Sequence, residues 1–153
     1  MTAYWLVKSE PDAFSWDQQV AHGVEPWTGV RNHAAKRNLA TMRLGDLAFF
    51  YHSNIGREIV GVVEVVREAY PDPTVGADEL SRDGSNPWLC VDMRAVGKMP
   101  SPVTLAMIKA EPGLADLALV RQSRLSVSPV SPEHWALLCR MGGRMGDWKG
   151  TEG

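Results

Sequence analysis

The sequence predicts a single α+β domain, in which a small mixed β-barrel or curled sheet has short helices packed around it. A chain of 153 residues has the length of one domain and can bury a hydrophobic core without disulfides or metals. The predicted elements follow the order β-α-α-β-β-β-α-β-α, which differs from the regular alternation of a doubly wound sheet. Three of these strands are consecutive in the middle of the chain, which favours one curled sheet.

The first third of the chain predicts one strand and two helices. The predicted elements are a strand over 4–8, a helix over 16–22, a turn over 25–30 and a helix over 33–42. Ser15 and Asn32 are typical N-cap residues and precede the two helices, while Gly23 is expected to end the first one.

The middle third predicts three strands and one long loop. The elements are strands over 47–52, 59–70 and 88–98, with a polar, exposed loop over 72–87. The first of these strands is apolar throughout and is expected to be buried on both faces. The third alternates apolar with charged residues, which is typical of a half-exposed strand.

The last third predicts short elements and a terminal helix. They are a helix over 104–110, a helical turn over 114–120, a strand over 125–127 and a helix up to Met141. Ser131 and Pro132 are a capping residue and a first-turn proline, so they mark the start of that last helix. The glycine-rich residues 142–153 are expected to form a flexible tail.

Composition excludes several classes of function. The net charge is −2 and the isoelectric point about 6.1, which argues against a protein that coats nucleic acid nonspecifically. Cys90 and Cys139 lie at no metal-binding spacing, and no metal or cofactor is expected. The sequence has no signal peptide pattern and no membrane span, so we expect a cytoplasmic monomer, or a nuclear one in a eukaryote.

Familiar catalytic motifs are absent from the sequence. It contains no phosphate-binding loop, no dinucleotide fingerprint, no H-E-x-x-H and no G-x-S-x-G. Asp46, His52 and Ser53 are a conceivable catalytic relay. However, adjacent residues of a strand point to opposite faces, so His52 is better interpreted as a pocket or core residue.

Polar groups cluster at three segment ends beside an aromatic residue and a basic helix. The segments are 8–11, 27–32 and 49–53. Trp27 has a flat face that can stack on a nucleobase, and Gly29 permits close backbone approach. No acid occurs between residues 26 and 45, where four cations lie. Two alternatives stay open: Trp27 as a core residue, and the cations as a solvated helix face.

The same segments resemble the EVE domain family. The resemblance rests on YWLVKSEP (4–11), WTGVRN (27–32), GDLAFFYHS (45–53), VVREAYPDP (65–73) and RQSRLSV (121–127). It extends to about Met141, so an EVE domain is expected over 1–141. It implies a PUA-like fold, a small β-barrel with surrounding helices. It also implies a non-catalytic pocket for a modified base of DNA or RNA, such as methylated or hydroxymethylated cytosine.

The expected binding residues fall into two groups. The base pocket is predicted from Ser9, Glu10, Trp27, Gly29, Val30, Asn32, Tyr51, His52 and Ser53. Phosphate contacts are predicted from Lys8, Arg31, Lys36, Arg121 and Arg124. The alternatives are a small-metabolite or nucleoside sensor, a weak nucleotide-processing enzyme that uses His52 and Glu10 in the same pocket, and a pure interaction module.

Overall fold

The computed structural model describes residues 2–143. Its strands are Tyr4–Ser9 (β1), Val24–Pro26 (β2), Leu47–His52 (β3), Glu58–Pro71 (β4), Leu89–Thr104 (β5) and Val127–Val130 (β6). Its α-helices are Trp16–His22 (α1), His33–Thr41 (α2), Leu105–Ala110 (α3), Ala118–Arg121 (α4) and Pro132–Met141 (α5). Short 3-10 turns form at Ala77–Glu79 and Pro112–Leu114. Residues 144–153, most of the predicted tail, lie outside the described residues.

The strands form one mixed sheet that curls around α2. The order is β2-β5-β4-β3-β1-β6, with β1 parallel to β3 and the other pairs antiparallel. Register shifts interrupt the pairing of the long strands β4 and β5 at several points, and such bulges bend and twist a sheet. Helix α2 therefore contacts both β5 and β6, which lie toward opposite ends of the strand order. This architecture confirms the predicted α+β, PUA-like fold class.

Strand β3 lies inside the sheet and separates two hydrophobic clusters. Phe49 and Tyr51 belong to one cluster, whereas Ala48 and Phe50 belong to the other. All five residues 47–51 are buried, which confirms the prediction of a strand covered on both faces. Because side chains alternate along a strand, consecutive aromatic residues of β3 serve different cores.

The helix starts agree with the capping residues in the sequence. Ser15 Oγ accepts a hydrogen bond from the Gln18 backbone N–H at 3.2 Å, and Asn32 Oδ1 accepts one from Ala35 at 2.9 Å. Ser131 Oγ accepts from His134 at 3.1 Å at the start of α5. Each bond satisfies a backbone donor that has no partner inside its helix, which is why these local signals predict helix starts well.

Three strands differ from the prediction. Strand β2 forms where a turn was expected, because residues 24–26 pair with the edge of β5. Strand β6 covers 127–130 instead of 125–127, and Pro129 is tolerated because β6 is an edge strand. Strand β5 continues to Thr104, since the start of its partner β4 pairs with this end, Glu58 opposite Thr104. Non-local pairing decides all three, and no short sequence pattern carries it.

Candidate functional site

A cavity of about 420 Å³ opens beside Trp27, between the end of β1, the edge strand β2 and the residue that precedes the other edge strand, β6. Its walls come from the end of β1, the segment before α1, the segment that follows β2, and the segment before β6. The lining residues are 8–10, 13–14, 25–31 and Ser126. A volume of this size is typical of sites that bind small molecules, and it can accept one planar heterocycle.

Trp27 forms an aromatic wall of the cavity. Its ring meets Phe50 edge-on at 5.5 Å and 88°, and Phe14 at 6.4 Å and 84°. Its backbone N–H donates to the Val91 carbonyl at 2.7 Å, which ties the segment to β5. The side chain is only 7% exposed, so it is packed in a core and also borders the cavity. Within residues 2–143, its indole N–H donates no hydrogen bond.

Phe14 lines the cavity although the sequence did not indicate it. Ser9 Oγ donates to the Phe14 carbonyl at 2.5 Å, and the Phe14 backbone N–H donates to the Glu10 carbonyl at 2.8 Å. These bonds hold the segment after β1 in a turn, with the half-buried Phe14 ring against Trp27. Phe14 directly precedes the N-cap of α1, where an apolar residue usually has a local packing role. The available signal therefore favoured a structural interpretation.

Asp72 holds the backbone of the cavity wall in place. Its buried Oδ2 accepts hydrogen bonds from the Gly29 N–H at 2.8 Å and from Arg31 Nη1 at 3.0 Å. Burial alone would raise the pKa of the Asp72 carboxyl. Hydrogen bonds from Thr74, Gly29 and Arg31 outweigh burial and lower this pKa below its ordinary value. Asp72 is thus a charged anchor, missed because it begins a loop that was predicted to be exposed.

Arg31 belongs to the wall, but its charge is paired with two carboxylates. Nε donates to Glu79 Oε2 at 2.7 Å, in addition to the bond to Asp72. The hydrogen bond to Glu79 is the largest factor that raises the pKa of the guanidinium. Gly29 has a φ of 84°, a left-handed conformation that favours glycine, and it carries the chain from Trp27 toward this pair. Arg31 is therefore placed to shape the cavity more than to attract phosphate.

Besides Arg31, the charged residues that line the cavity are Lys8, Glu10 and Glu25. Lys8 Nζ donates to the Ser123 carbonyl at 2.6 Å, and burial lowers the pKa of this ammonium group. Glu25 Oε1 lies 2.7 Å from His22 Nδ1. Glu10 is exposed, and its carboxylate makes no hydrogen bond or ion pair within residues 2–143. The free acceptor at the rim is thus Glu10.

The structure does not bring the residues at the end of β3 to this cavity. Tyr51 is 3% exposed and belongs to the cluster on the opposite face of the sheet. His52 Nε2 accepts a hydrogen bond from the Trp16 backbone N–H at 3.0 Å. Burial lowers the pKa of His52, although Glu58 and Asp17 act in the opposite direction. Ser53 donates its backbone N–H to Ser9 and does not line the cavity. Alternation and parallel pairing of β1 with β3 explain this separation.

The remaining predicted residues do not line the cavity. Lys36 Nζ lies 5.7 Å from the centre of the Trp88 ring, and Arg121 is paired with Asp116 at 2.8 Å. Asn32 caps α2, and together with Arg124 it lines a second, shallower hollow. Of the predicted base-pocket residues, the cavity therefore contains Ser9, Glu10, Trp27, Gly29 and Val30. Of the predicted phosphate contacts, it contains Lys8 and Arg31.

The part of the chain that the structure describes has neither a metal-binding cluster nor a membrane-spanning helix. No group of three His, Cys, Asp or Glu side chains in residues 2–143 is arranged to hold a metal ion. None of the helices described there has the length and apolar character needed to cross a bilayer.

Comparison with known proteins decides the family. The model of the EVE domain matches residues 3–141, nearly the whole described chain. The protein belongs to the EVE domain family. This agrees with the resemblance seen in the five sequence segments.

Solved structures of two bacterial proteins share the whole fold. A protein from Rhodopseudomonas palustris is 57% identical with a TM-score of 0.84, over 94% of this chain and 95% of that one. A protein from Agrobacterium tumefaciens is 46% identical with a TM-score of 0.90, over 99% and 100% of the two chains. Human thymocyte nuclear protein 1 is 34% identical in sequence, over 88% of this chain and 72% of its own length.

The human protein has also been solved with a nucleic acid. Its structure in complex with DNA that contains 5-methylcytosine has a TM-score of 0.82 to this chain, at 29% identity. The match covers 92% of this chain and 98% of that one. A relative of the same family and fold therefore binds DNA that carries a modified base.

Proposed function

We propose that this EVE domain is a reader, a protein that binds a modified nucleobase in nucleic acid without changing it. The cavity beside Trp27 is the proposed base site, and 5-methylcytosine is the proposed class of ligand. The observation that carries the proposal is a cavity of about 420 Å³ with an indole wall and a free carboxylate at its rim. The human relative bound to 5-methylcytosine DNA supports the same class of ligand.

The cavity suits a base that has left the helical stack. A base inside a duplex hides its faces, so reading it in a pocket requires extrusion at a cost of a few kcal/mol. Stacking on an aromatic side chain returns about 1–3 kcal/mol per base. Trp27 is held at a fixed angle by Phe50 and Phe14, so little side-chain freedom is lost on binding.

The polar groups favour a base that has an exocyclic amino group. An ionised carboxylate only accepts hydrogen bonds, and Glu10 can accept from the N4 amino group of cytosine. Thymine and uracil present a carbonyl oxygen at that position, which Glu10 would repel. Pro26 and Val30 give the cavity apolar surface for a methyl group, worth about 0.8 kcal/mol when buried. Together these groups predict a preference for 5-methylcytosine over thymine and over unmodified cytosine.

The enzymatic alternative finds less support in the geometry. It requires Glu10 and His52 at one substrate, but only Glu10 lines the cavity. His52 is occupied as the acceptor for the N–H at the start of α1. We therefore propose binding without turnover.

The test is a binding panel of DNA and RNA oligonucleotides with cytosine, 5-methylcytosine, 5-hydroxymethylcytosine or thymine at one position. The wild-type protein should prefer a modified cytosine. Trp27→Phe keeps an aromatic ring with less stacking area and should weaken that binding about tenfold. Trp16→Phe is the matched control, because Trp16 packs on the same Phe50 but does not line the cavity.

Thermal unfolding of each variant checks whether the fold is retained. Equal binding by the wild-type protein and Trp27→Phe would contradict the stacking role. Equal affinity for all four bases would contradict the reader function itself. Glu10→Gln should reduce the discrimination against thymine, since an amide can donate to a carbonyl as well as accept.

A further inference from the structure

A second hollow adjoins the base cavity. It measures about 340 Å³ and is lined by Asn32, Ala34 and residues 122–125. The two hollows share one short segment of chain, since Ser126 lines the base cavity and Ser123 lines the second hollow. The bond of 2.6 Å from Lys8 Nζ to the Ser123 carbonyl crosses between them. A ligand that occupies both hollows would pass over this bond.

Arg124 lines this hollow and has no carboxylate partner among the described residues. It is exposed, and no carboxylate pairs with it within residues 2–143. Arg31 and Arg121 differ, because both form ion pairs with carboxylates. The partners of Lys36 and Lys8 are an aromatic ring and a carbonyl. Arg124 is thus a cation near the base cavity with its charge uncompensated and its donors free among the described residues.

The two hollows differ in their charged groups: the base cavity has both cations and carboxylates, whereas the second hollow has a cation and no carboxylate. The base cavity includes the carboxylates of Glu10 and Glu25, which repel phosphate. No acidic residue lines the second hollow, which instead has the Arg124 guanidinium and the side-chain amides of Asn32 and Gln122. Asn32 Oδ1 already accepts from Ala35, so its amide N–H groups remain available as donors. Guanidinium and amide donors are the groups that bind phosphate oxygens.

We infer that the second hollow binds the phosphodiester next to the nucleotide whose base occupies the cavity beside Trp27. This rests on the proposed function and specifies its ligand further. The complete ligand is then at least a dinucleotide, held by its base in one hollow and by its backbone in the other. A free nucleoside fills only the first hollow and binds more weakly.

The experiment compares three probes on the full chain. They are the nucleoside 5-methyl-2′-deoxycytidine, a trinucleotide with this residue between two thymidines, and the same trinucleotide with uncharged methylphosphonate linkages. Arg124→Gln should weaken binding of the charged trinucleotide roughly three- to tenfold. It should also reduce the salt dependence by about one phosphate contact. Binding of the nucleoside and of the uncharged trinucleotide should be unchanged. Arg140→Gln is the matched control, since Arg140 is an exposed arginine on α5 that lines neither hollow, and it should change none of the three.

Two kinds of failure are distinguishable. The second site is overturned if Arg124→Gln loses no more affinity for the charged trinucleotide than Arg140→Gln does. It is also overturned if the methylphosphonate probe binds wild type as tightly as the charged one. If the wild-type protein binds neither the nucleoside nor the trinucleotide in preference to unmethylated versions, the proposed base cavity fails, and the second site fails with it.

Discussion

Two aromatic clusters lie on opposite faces of β3 and have different degrees of closure. The closed cluster consists of Tyr4, Phe49 and Trp135, whose rings are stacked at 3.9–4.5 Å with angles of 19–22°. The open cluster consists of Phe14, Trp16, Trp27 and Phe50, whose contacts are mostly edge-on. Trp135 and Phe49 are at most 1% exposed, whereas Trp27 borders a cavity.

The difference follows from what covers each face. Helix α5 places Trp135 directly on Phe49 and closes its side of the sheet. The other face is covered near Trp27 by the irregular segments 10–15 and 27–32, which do not fill the space. A helix covers a sheet with a continuous row of side chains, while a loop leaves gaps that a ligand can enter. Aromatic residues of the same strand therefore have a structural role on one face and a binding role in our proposal for the other.

The largest expected effect is on the closed cluster. Trp135→Ala should lower the free energy of unfolding by about 4 kcal/mol, because it leaves a void among fully buried rings. Trp27→Ala should cost less, since solvent can enter from the adjoining cavity, but it should abolish selective base binding. Urea unfolding of both variants measures the difference. Equal losses of stability would contradict the claim that one cluster is fully packed while the other borders a cavity.

A smaller effect is expected when Asp72, which anchors the cavity wall, is replaced. Asp72→Ala should lower the free energy of unfolding by about 3 kcal/mol, because it leaves Arg31 without its buried partner. It should also weaken base binding, since Gly29 loses the acceptor that fixes the cavity wall.

Asp83→Ala is the control for this anchor. Asp83 belongs to the same loop but is exposed and accepts hydrogen bonds only from Ser85 among the described residues. It should leave binding unchanged. If Asp83→Ala weakens binding as much as Asp72→Ala, then general loop order controls the cavity and the Asp72 contact does not.

The smallest expected effect is a dependence of stability on pH that comes from His52, which contacts Phe50 of the open cluster. Burial lowers the pKa of His52 below its ordinary 6.5, so on acidification the unfolded chain takes up this proton before the folded one does. The free energy of unfolding should therefore fall as the pH drops from about 6.5 toward the lower folded pKa. Protonation also removes the acceptor that His52 Nε2 offers to Trp16.

Urea midpoints measured at about pH 7.5 and about pH 5.5 check this effect, because these two pH values lie on either side of the ordinary pKa of histidine. In His52→Gln, the part of the acid sensitivity that belongs to this residue should disappear. An unchanged difference between the two midpoints in the variant would show that His52 does not contribute.

Local signals predicted much of the fold. The apolar run 47–52 and the caps Ser15, Asn32 and Ser131 carry their meaning within a few residues, and the structure contains the expected strand and helices. Strand β2 escaped prediction because three residues, one of them Pro26, have no strand pattern of their own. Their conformation depends on pairing with β5, a partner about 70 residues away in the chain.

The candidate site was predictable in part. Segments 8–11 and 27–32 each placed polar groups at a strand end or before a helix start, and the structure brings most of these residues to one cavity. The third segment, 49–53, had the same character, but none of its residues lines that cavity. Its register opposite β1 directs Tyr51 to the face of the sheet that holds the closed cluster. His52 accepts a hydrogen bond from α1, and Ser53 donates one to β1.

The amino-acid sequence alone determined the family, the fold class and the residue types that a base reader needs. Only the tertiary structure decided which of them share a cavity, that Arg31 is neutralised by Asp72 and Glu79, and that Arg124 is left open. The physical reason is the range of the forces involved. Caps and strand patterns act over a few residues, whereas ion pairing and cavity shape depend on groups that are distant in the chain and adjacent only after folding.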